Sequence, residues 1–240
     1  MKIKEILRRM LITRKCLVCG EVISYDNGYF CEDCIDQWKQ FDEQKCHYCG
    51  HTRHACTCLP SQIRESSKHG AVWCVFYSAK SNLSLNNLVF RLKREYSIDI
   101  VDFCADEMAK NLKSFISRYG IDYKSYYITY TPRRGEGRRE YGVDHARKLA
   151  KALGERLGIK VIKTLNNIGE LEQKTLTKAE RRENADNSYV IRKNLNINGK
   201  SFFLVDDIIT SGATMRACIE KLKQAGANDV LPVAYAKDNR

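Results

Sequence analysis

A chain of 240 residues can hold one sizeable domain and a smaller module. No apolar run approaches the length of a membrane span, and no signal-peptide core is present. These features exclude a membrane-inserted protein, and we expect a cytoplasmic one.

The formal charge is +12, of which residues 1–60 carry +1, from 9 basic and 8 acidic residues. The remaining +11 on residues 61–240 would attract polyanions such as nucleotides, pyrophosphate or nucleic acid, although a diffuse basic surface can also serve solubility alone.

The first 60 residues indicate a small metal-binding module. Residues 1–15 are charged, with apolar residues at helical spacing, which predicts an amphipathic lead-in helix. Eight of the eleven cysteines follow in clusters, and clustered cysteines in a cytosolic chain indicate metal rather than disulfides. The predicted zinc ligands are Cys16, Cys19, Cys31 and Cys34 in a first site, and Cys46, Cys49, Cys56 and Cys58 in a second.

The second site has one irregular spacing, Cys56-x-Cys58, so a histidine is an alternative ligand there. The histidines in range are His47, His51 and His54. Both sites are expected to be structural, because four protein ligands leave no open position for chemistry. The isolated cysteines Cys74, Cys104 and Cys218 stand in apolar settings and are predicted to be core residues.

Residues 61–240 are predicted to form an α/β domain with a mostly parallel sheet flanked by helices, after a linker from Pro60 to Lys68. Strands and helices alternate, so right-handed βαβ units are expected, with ligands at the carboxyl ends of the strands. The predicted strands cover residues 71–77, 126–130, 159–163, 189–191, 202–205 and 230–235. The predicted helices cover residues 85–94, 98–118, 141–157 and 213–224.

Two polar segments interrupt this alternation. The strand 126–130 ends at Thr131-Pro132 and is followed by Arg133 and Arg134, then by two further arginines. Guanidinium groups bind phosphate oxygens in pairs, so this loop is predicted to hold a pyrophosphate group; a solvated basic loop is the alternative. Residues 166–188 are polar and long enough to form a lid over a site.

The most informative stretch is residues 202–214. Apolar residues 202–205 predict a strand buried on both faces, and Asp206 and Asp207 follow at its carboxyl end. A turn of small residues then opens a helix, whose free N–H groups and dipole favour a phosphate. Adjacent carboxylates can accept hydrogen bonds from vicinal sugar hydroxyls or face a hydrated Mg²⁺. The expected phosphate ligands are Thr210, Ser211, Gly212, Ala213 and Thr214.

This stretch resembles the phosphoribosyl pyrophosphate (PRPP) motif of type I phosphoribosyltransferases. Together with the cysteine module, the resemblance extends almost end to end to the ComF family. The segments that carry it are Phe90 to Lys93, Arg138 to Gly142, His145 to Ala150, Gln173 to Leu176 and Glu180 to Asn184. The resemblance implies a phosphoribosyltransferase domain that acts in, or beside, the uptake of single-stranded DNA during natural transformation.

Within that resemblance, Asp206 and Asp207 would bind the ribose hydroxyls and Mg²⁺ would bridge the diol and the pyrophosphate. Arg133 and Arg134 would neutralise the departing pyrophosphate. The lid would bring Gln173, Lys174, Arg181 and Arg182, and Lys93 could reach the same anion, although an exposed helical lysine is the plainer interpretation.

The chain departs from the resembled patterns in two places. Family members commonly read Arg-Gly-Phe-Asn-Gln where this chain has residues 140–145, so contacts made by that Asn and Gln are in doubt. Purine-base transferases usually have an aspartate at the position of Thr210; threonine cannot act as a base, which disfavours a purine acceptor.

Two alternatives to an enzyme stay open. One is a nucleic-acid-binding or PRPP-sensing adaptor, with Tyr123, Tyr126, Tyr127 and Tyr130 as base-stacking candidates. The other is a structural partner of a DNA-translocating ATPase.

Overall fold

The computed structural model describes residues 13–24, 28–78, 86–94, 97–133, 144–169 and 188–239, and for residues 40–42, 93 and 94 it describes only the backbone. The strands are β1 (Arg14–Lys15), β2 (Val22–Ile23), β3 (Val72–Tyr77), β4 (Tyr126–Tyr130), β5 (Leu165–Asn167), β6 (Tyr189–Ile191), β7 (Ser201–Ile209) and β8 (Asp229–Asp238). The helices are α1 (Glu32–Asp42), α2 (Ser61–Ser66), α3 (Asn86–Arg94), α4 (Ile98–Tyr119), α5 (His145–Leu157) and α6 (Ala213–Gln224).

The main sheet has four strands in the order β3-β8-β7-β4, and each neighbouring pair is parallel. The register places Val205 of β7 opposite Val233 of β8 and Tyr130 of β4. This sheet with its flanking helices confirms the predicted α/β class. Because all four strands run the same way, their carboxyl ends share one edge, where polar side chains from different segments meet.

Side chains of β7 alternate between two hydrophobic cores, one on each face of the sheet. Phe203 and Val205 pack in the core that contains residues of α4 and α5, whereas Phe202 and Leu204 pack in the core that contains residues of α6. These four residues have no exposed surface. A strand that is apolar on both faces therefore occupies the middle of the sheet, as its composition predicts.

Helix boundaries follow ordinary capping chemistry. The α4 helix begins after Ser97, whose side chain accepts a hydrogen bond from the Ile100 N–H, and ends at Gly120 in the left-handed conformation. The α5 helix begins after Asp144, which caps the Arg147 N–H, and also ends at a left-handed glycine, Gly158. Among the described residues, no helix is both long enough and apolar enough to cross a membrane.

The first cysteine module packs against α4. Phe103 of α4 contacts Phe30 and Trp38, with ring centroids 4.9 and 5.1 Å apart, and the three rings join the core on that face. The predicted lead-in helix lies mostly outside the described residues, and at its last two residues it is wrong: Arg14–Lys15 pairs antiparallel with Val22–Ile23. The two-stranded ladder pairs the residues on either side of the first cysteine turn, and a helix could not form this pairing.

The segment predicted to be a linker is a structured helix, α2. Ile63 on this helix has no exposed surface and packs in the same core as α6. Lys223 of α6 also donates to the Ser66 carbonyl at 2.7 Å. Residues 61–68 are polar except for one apolar side chain, that of Ile63, and this side chain attaches the helix to the sheet. The division into a 1–60 module and a 61–240 domain stays a prediction.

Two of the predicted strands are not part of the main sheet. Residues 159–163 run beside β4 only through an isolated bridge between Val161 and Ile128. Residues 189–191 form β6, which pairs antiparallel with β5 in a separate two-stranded sheet. The short apolar runs correctly predicted extended backbone, but the strand with which each run pairs depends on long-range packing.

Candidate functional site

Arg133 and Asp207 meet at the carboxyl edge of the sheet. The β4 and β7 strands are neighbours, and the chain continues past β4 through Thr131 and Pro132 to Arg133. The Arg133 Nη2 atom lies 3.5 Å from the Asp207 Oδ2 atom, and both side chains are mostly buried. Residues that are 74 positions apart are thus brought together at this edge.

The acidic pair lies inside β7 rather than after it. The sequence places the end of the strand at residue 205, but the ladder with β8 continues through Asp206, opposite Ala234, to Ile209, opposite Lys237. The reason is the length of β8, whose ten residues provide backbone partners beyond the apolar run. The carboxylates are consequently held on extended backbone, which makes their positions more rigid than those of loop residues.

The two carboxylates have different neighbours. Asp206 accepts a hydrogen bond from the Thr131 hydroxyl and from the Asp207 N–H, the latter at 2.9 Å. Asp207 faces Arg133, and its Oδ1 atom accepts from the Ile208 N–H at 2.7 Å. Burial and the adjacent Asp207 charge raise the pKa of Asp206 well above its usual range, despite the two hydrogen bonds. In the free protein, therefore, Asp206 readily holds a proton.

The turn after β7 leads directly into α6. Gly212 takes φ +82°, a conformation that favours glycine, and precedes the first helical residue, Ala213. A Cβ atom at Gly212 would lie 2.9 Å from Ile63 Cγ1 and 3.2 Å from Pro60 Cβ. The first N–H groups of α6 have no partners within the helix, and the Ala213 N–H donates to the Ser211 hydroxyl at 3.4 Å. The turn thus carries backbone and hydroxyl donors at the start of α6, and its use as an anion site stays a prediction.

His145 also belongs to this site, although it is not among the site residues predicted from the sequence. It is the first residue of α5, is 1% exposed, and neither ring nitrogen has a hydrogen-bond partner among the described residues. Burial and the Arg133 charge lower the pKa of His145, while Asp207 and Asp144 oppose that shift. A neutral imidazole is therefore favoured beside the Arg133–Asp207 pair. The only signal in the sequence was a histidine within the segment that departs from the family pattern.

The β5–β6 hairpin flanks the site. Asn167 at the end of β5 donates to the Pro132 carbonyl at 3.3 Å, and the Tyr189 hydroxyl of β6 interacts with the Thr214 hydroxyl. These contacts place Asn167 next to Pro132 and Tyr189 next to Thr214; residues 170–187, most of the predicted lid, lie outside the described residues. Thr131 and Tyr189 are further site residues that the sequence analysis missed, because their roles depend on neighbouring strands.

Several predicted site residues lie outside the described residues. These are Arg134, Gln173, Lys174, Arg181 and Arg182. The backbone of Lys93 lies in α3, and its side chain is not described. The tyrosines proposed for base stacking are described and are largely committed to packing: Tyr126 stacks on Phe203 with centroids 4.5 Å apart, and Tyr130 is buried.

The eight clustered cysteines form two tetrads. Within each tetrad all the sulfur atoms lie within 4.8 Å of one another, so each tetrad can hold a metal ion. The Cys19 and Cys31 sulfur atoms are 3.6 Å apart, and zinc bound by four thiolates at about 2.3 Å requires sulfur separations of about 3.8 Å. The second tetrad consists of cysteines alone, and the histidines considered as substitutes, His47, His51 and His54, are exposed. The donor set and spacing fit zinc ribbons.

The two tetrads begin with the same backbone turn. The Cys16 N–H donates to the Glu21 carbonyl, and the Cys46 N–H donates to the His51 carbonyl five residues on, as in the first turn. Each turn passes through a glycine with positive φ, Gly20 or Gly50. Burial raises the pKa of Cys16, but N–H groups of neighbouring residues that donate to its sulfur lower it overall to about 7. Cys46 in the second turn likewise has its pKa lowered to about 7, whereas burial raises the pKa of Cys34 and of Cys56.

The second tetrad is attached to the end of β8. The Lys237 Nζ atom lies 3.8 Å from the Cys56 sulfur, and its side chain is only 3% exposed. Asn239 accepts from the His47 N–H at 3.1 Å and donates to the Lys45 carbonyl at 3.0 Å. Lys237 also pairs in register with Ile209, the last residue of β7. The second ribbon and the turn that follows β7 are thus supported by the same two strands.

Comparison with known proteins agrees with these features. Residues 140–238 match the phosphoribosyl transferase domain family. The whole chain is similar to Competence protein ComFC of Streptococcus pneumoniae, with 24% identity over 233 residues, 90% of this chain and 96% of that protein. The chain is a ComFC homologue with a phosphoribosyl transferase domain and a cysteine module that fits zinc ribbons, which confirms the resemblance to the ComF family.

Solved structures align with about half of the chain. A phosphoribosylpyrophosphate synthetase from Mycobacterium smegmatis is 20% identical with a TM-score of 0.33; the alignment covers 55% of this chain and 33% of the synthetase. A purine phosphoribosyltransferase from Pyrococcus horikoshii is 19% identical with a TM-score of 0.33, over 57% of this chain and 72% of that chain.

Proposed function

We propose, from the premise that the chain is a ComFC homologue with a phosphoribosyl transferase domain, that it binds PRPP at the carboxyl edge of the sheet. The observation that supports this most is the convergence of three segments: residues 131–133, the acidic pair 206–207, and the turn 210–214. The turn would hold the 5′-phosphate, the acidic pair the ribose hydroxyls, and Arg133 the pyrophosphate.

The same geometry supports a transfer reaction. An acceptor's electron pair would form a bond to C1 of the ribose, the C1–O bond would break, and pyrophosphate would leave with the electron pair of the C1–O bond. Arg133 would stabilise the leaving charge, since a guanidinium binds phosphate oxygens. Carboxylate oxygens of Asp206 and Asp207 are suitable donors for Mg²⁺, which would supply charge neutralisation for the pyrophosphate. The strands on either side of the predicted lid, β5 and β6, both contact the site.

We also propose that each tetrad holds one structural zinc ion. Four thiolates saturate a tetrahedral zinc, so the ribbons would supply rigidity and leave the reaction to the sheet edge.

Binding of PRPP with Mg²⁺ is expected to raise the melting temperature, and Asp207→Asn is expected to weaken binding by at least tenfold. The physical reason is that a hydrogen bond from a sugar hydroxyl to a charged carboxylate contributes about 1.5–3 kcal/mol. The neutral amide oxygen of asparagine accepts such a bond less strongly. Isothermal titration calorimetry measures the affinity. Asp36→Asn, an exposed carboxylate on α1, is the control. A wild-type protein that does not bind PRPP would refute the proposal.

The same titration, followed by a pyrophosphate assay, separates an enzyme from an adaptor. Release of pyrophosphate in the presence of an acceptor indicates transfer, whereas binding without release at any acceptor tested indicates a PRPP-sensing adaptor.

A role in handling single-stranded DNA is a further proposal, supported by the competence name of the relative and by the +11 charge on residues 61–240. If phosphate contacts carry the interaction, the affinity for a single-stranded oligonucleotide should fall steeply as salt rises, by at least tenfold between 50 and 200 mM. Fluorescence anisotropy at several salt concentrations measures this. An affinity that does not change with salt would rule out binding through the basic surface.

A further inference from the structure

A cavity of about 210 Å³ lies where the second ribbon, the start of β3 and the last turns of α4 meet. The ribbon contributes residues 53–57, the entry to β3 contributes residues 69–73, and α4 contributes residues between Asn111 and Tyr119. Arg133, the acidic pair 206–207 and the turn 210–214 are not among its described lining residues. The cavity is at the amino end of β3, whereas the proposed PRPP site is at the carboxyl edge of the same sheet.

The described lining of this cavity is basic. It contains two guanidinium groups, those of Arg53 and Arg118, two imidazoles, those of His54 and His69, and no carboxylate. Asp229 lies 3.7 Å from the His69 Nε2 atom, but it does not line the cavity. A recess whose walls carry one sign of charge focuses the electric field, so this cavity favours an anion.

The indole N–H of Trp73 is a buried donor at this cavity. Trp73 lines the cavity and is 9% exposed, and its Nε1 atom has no hydrogen-bond acceptor among the described residues. Buried polar groups nearly always have a partner, and a ligand oxygen can supply the one that this N–H lacks. The Lys237 ammonium lies 4.8 Å from the centroid of the Trp73 ring and adds a positive charge near the indole.

The two guanidinium groups are held in position by hydrogen bonds. Arg53 is 8% exposed, and its Nη1 atom donates to the Asn111 Oδ1 atom at 3.0 Å. The Arg118 Nη1 atom donates to the His54 carbonyl at 3.4 Å, which uses one of five N–H groups and links α4 to the ribbon. Arg118 also stands in the last turn of α4, where its charge offsets the helix dipole that would otherwise oppose an anion.

We propose that this cavity binds the phosphoryl group of a small molecule. Its donors come from three sides, the ribbon, the strand and the helix, and a tetrahedral oxyanion accepts hydrogen bonds in three dimensions, whereas carboxylate and nitrate accept them close to one plane. The volume equals that of about seven water molecules at about 30 Å³ each, enough for a phosphoryl group and part of the molecule that carries it. This site is separate from the proposed PRPP site and does not depend on it.

The phosphoryl group can come from inorganic phosphate or from a nucleoside monophosphate, and Tyr119 distinguishes these sources. Tyr119 is half exposed, and its ring centroid lies 4.4 Å from that of Phe115, which also lines the cavity. A base stacked on an aromatic side chain strengthens binding by about fivefold or more. Adenosine 5′-monophosphate should therefore bind at least fivefold more tightly than inorganic phosphate if its base reaches Tyr119, and equally well if the phosphoryl group alone is held.

The two tryptophans of the chain, Trp38 and Trp73, provide a local readout. In proton–nitrogen correlation spectra of full-length, zinc-loaded protein, each indole N–H gives its own signal, and Trp73→Phe identifies the signal of the cavity. Inorganic phosphate is expected to move the Trp73 proton signal downfield in a saturable way, because the N–H gains a charged acceptor, and to leave the Trp38 signal in place. Acetate and nitrate at the same ionic strength are the comparison anions.

Three variants locate the binding. Arg118→Gln is expected to weaken the phosphate titration of the Trp73 signal by at least fivefold and to leave the affinity for PRPP unchanged. Lys113→Gln makes the same change of charge at an exposed position of α4 that does not line the cavity, and it is the matched control. Ser211→Ala, in the turn after β7, should leave the Trp73 titration unchanged. Tyr119→Ala should remove any advantage of adenosine 5′-monophosphate over phosphate.

Three results would overturn the proposal. The first is the absence of a saturable Trp73 shift with phosphate, or an equal shift with acetate and nitrate. The second is an equal loss of affinity in Arg118→Gln and Lys113→Gln, which would indicate a general effect of charge. The third is a loss in Ser211→Ala as large as that in Arg118→Gln, which would mean that the Trp73 signal reports binding at the carboxyl edge of the sheet.

Discussion

Replacing Cys56 with serine is expected to lower the free energy of unfolding by about 3–5 kcal/mol and to reduce the zinc content from two ions per chain to one. Binding of zinc to four thiolates is coupled to folding of a short ribbon, so loss of a ligand removes that contribution. The effect should extend beyond the ribbon, because the buried Lys237 ammonium would lose the Cys56 sulfur beside it. Elemental analysis and urea denaturation measure the two quantities.

The matched control is Cys218→Ala. Cys218 is a completely buried residue of α6 and belongs to neither tetrad. Its replacement should keep two zinc ions and cost only about 1 kcal/mol, the usual effect of a small change in core volume. Since Lys237 pairs in register with Ile209, Cys56→Ser should also weaken PRPP binding, whereas Cys218→Ala should not. Two zinc ions retained in Cys56→Ser would contradict the assignment of the second tetrad.

Replacing Asp206 with asparagine is expected to stabilise the ligand-free protein at pH 8 and to abolish tight binding of PRPP. Burial and the Asp207 charge raise the pKa of Asp206 well above the unfolded value of about 4. The folded chain therefore binds a proton that the unfolded chain releases. This contribution to stability is complete below about pH 4 and is lost as the pH rises through the raised pKa.

Asparagine keeps the size of the side chain and removes the buried charge, so the difference in unfolding free energy between Asp206→Asn and wild type should grow with pH. A gain of about 1 kcal/mol at pH 8 is expected, the size of a typical single-substitution effect. Urea denaturation at pH 5 and pH 8 measures it, with Asp36→Asn as the variant of equal net charge. An Asp206→Asn protein that is less stable than wild type at pH 8, or that still binds PRPP tightly, would show that Asp206 has a structural role instead.

The gain in stability and the loss of binding have one cause. A carboxylate held beside another carboxylate is unfavourable in the free protein and becomes favourable only when a cation or sugar hydroxyls satisfy it. Arg133 partly compensates the pair through Asp207, 3.5 Å away, and bound pyrophosphate would compete with Asp207 for that guanidinium.

Much of the site could be predicted because its chemistry is encoded in contiguous residues. The apolar strand, the acidic pair, the small-residue turn and the helix that starts at Ala213 follow one another without interruption in the chain. Each of these is a local backbone preference that needs no distant partner. The cysteine spacings are equally local, since Cys-x2-Cys brings two sulfur atoms to one turn, and the structure groups them as predicted.

Predictions failed where a distant segment decides the conformation. The linker at residues 61–66 became a helix because Ile63 packs beside Gly212, about 150 residues away. The strand at residues 189–191 pairs with residues 165–167 and not with the main sheet. His145, whose sequence context shows only a polar helix start, is buried beside Arg133 and Asp207.

From its order of residues alone, this chain specifies two thiolate sites, a parallel α/β domain and a turn suited to phosphate, since short-range geometry and burial patterns are sufficient for each. The order of strands in the sheet determines which of these segments come into contact. Placing β4 and β8 on either side of β7 brings Arg133 to Asp207 and the second ribbon to the turn that follows β7. That order depends on which apolar faces pack together over long distances in the chain, and such packing is settled only when the whole core forms.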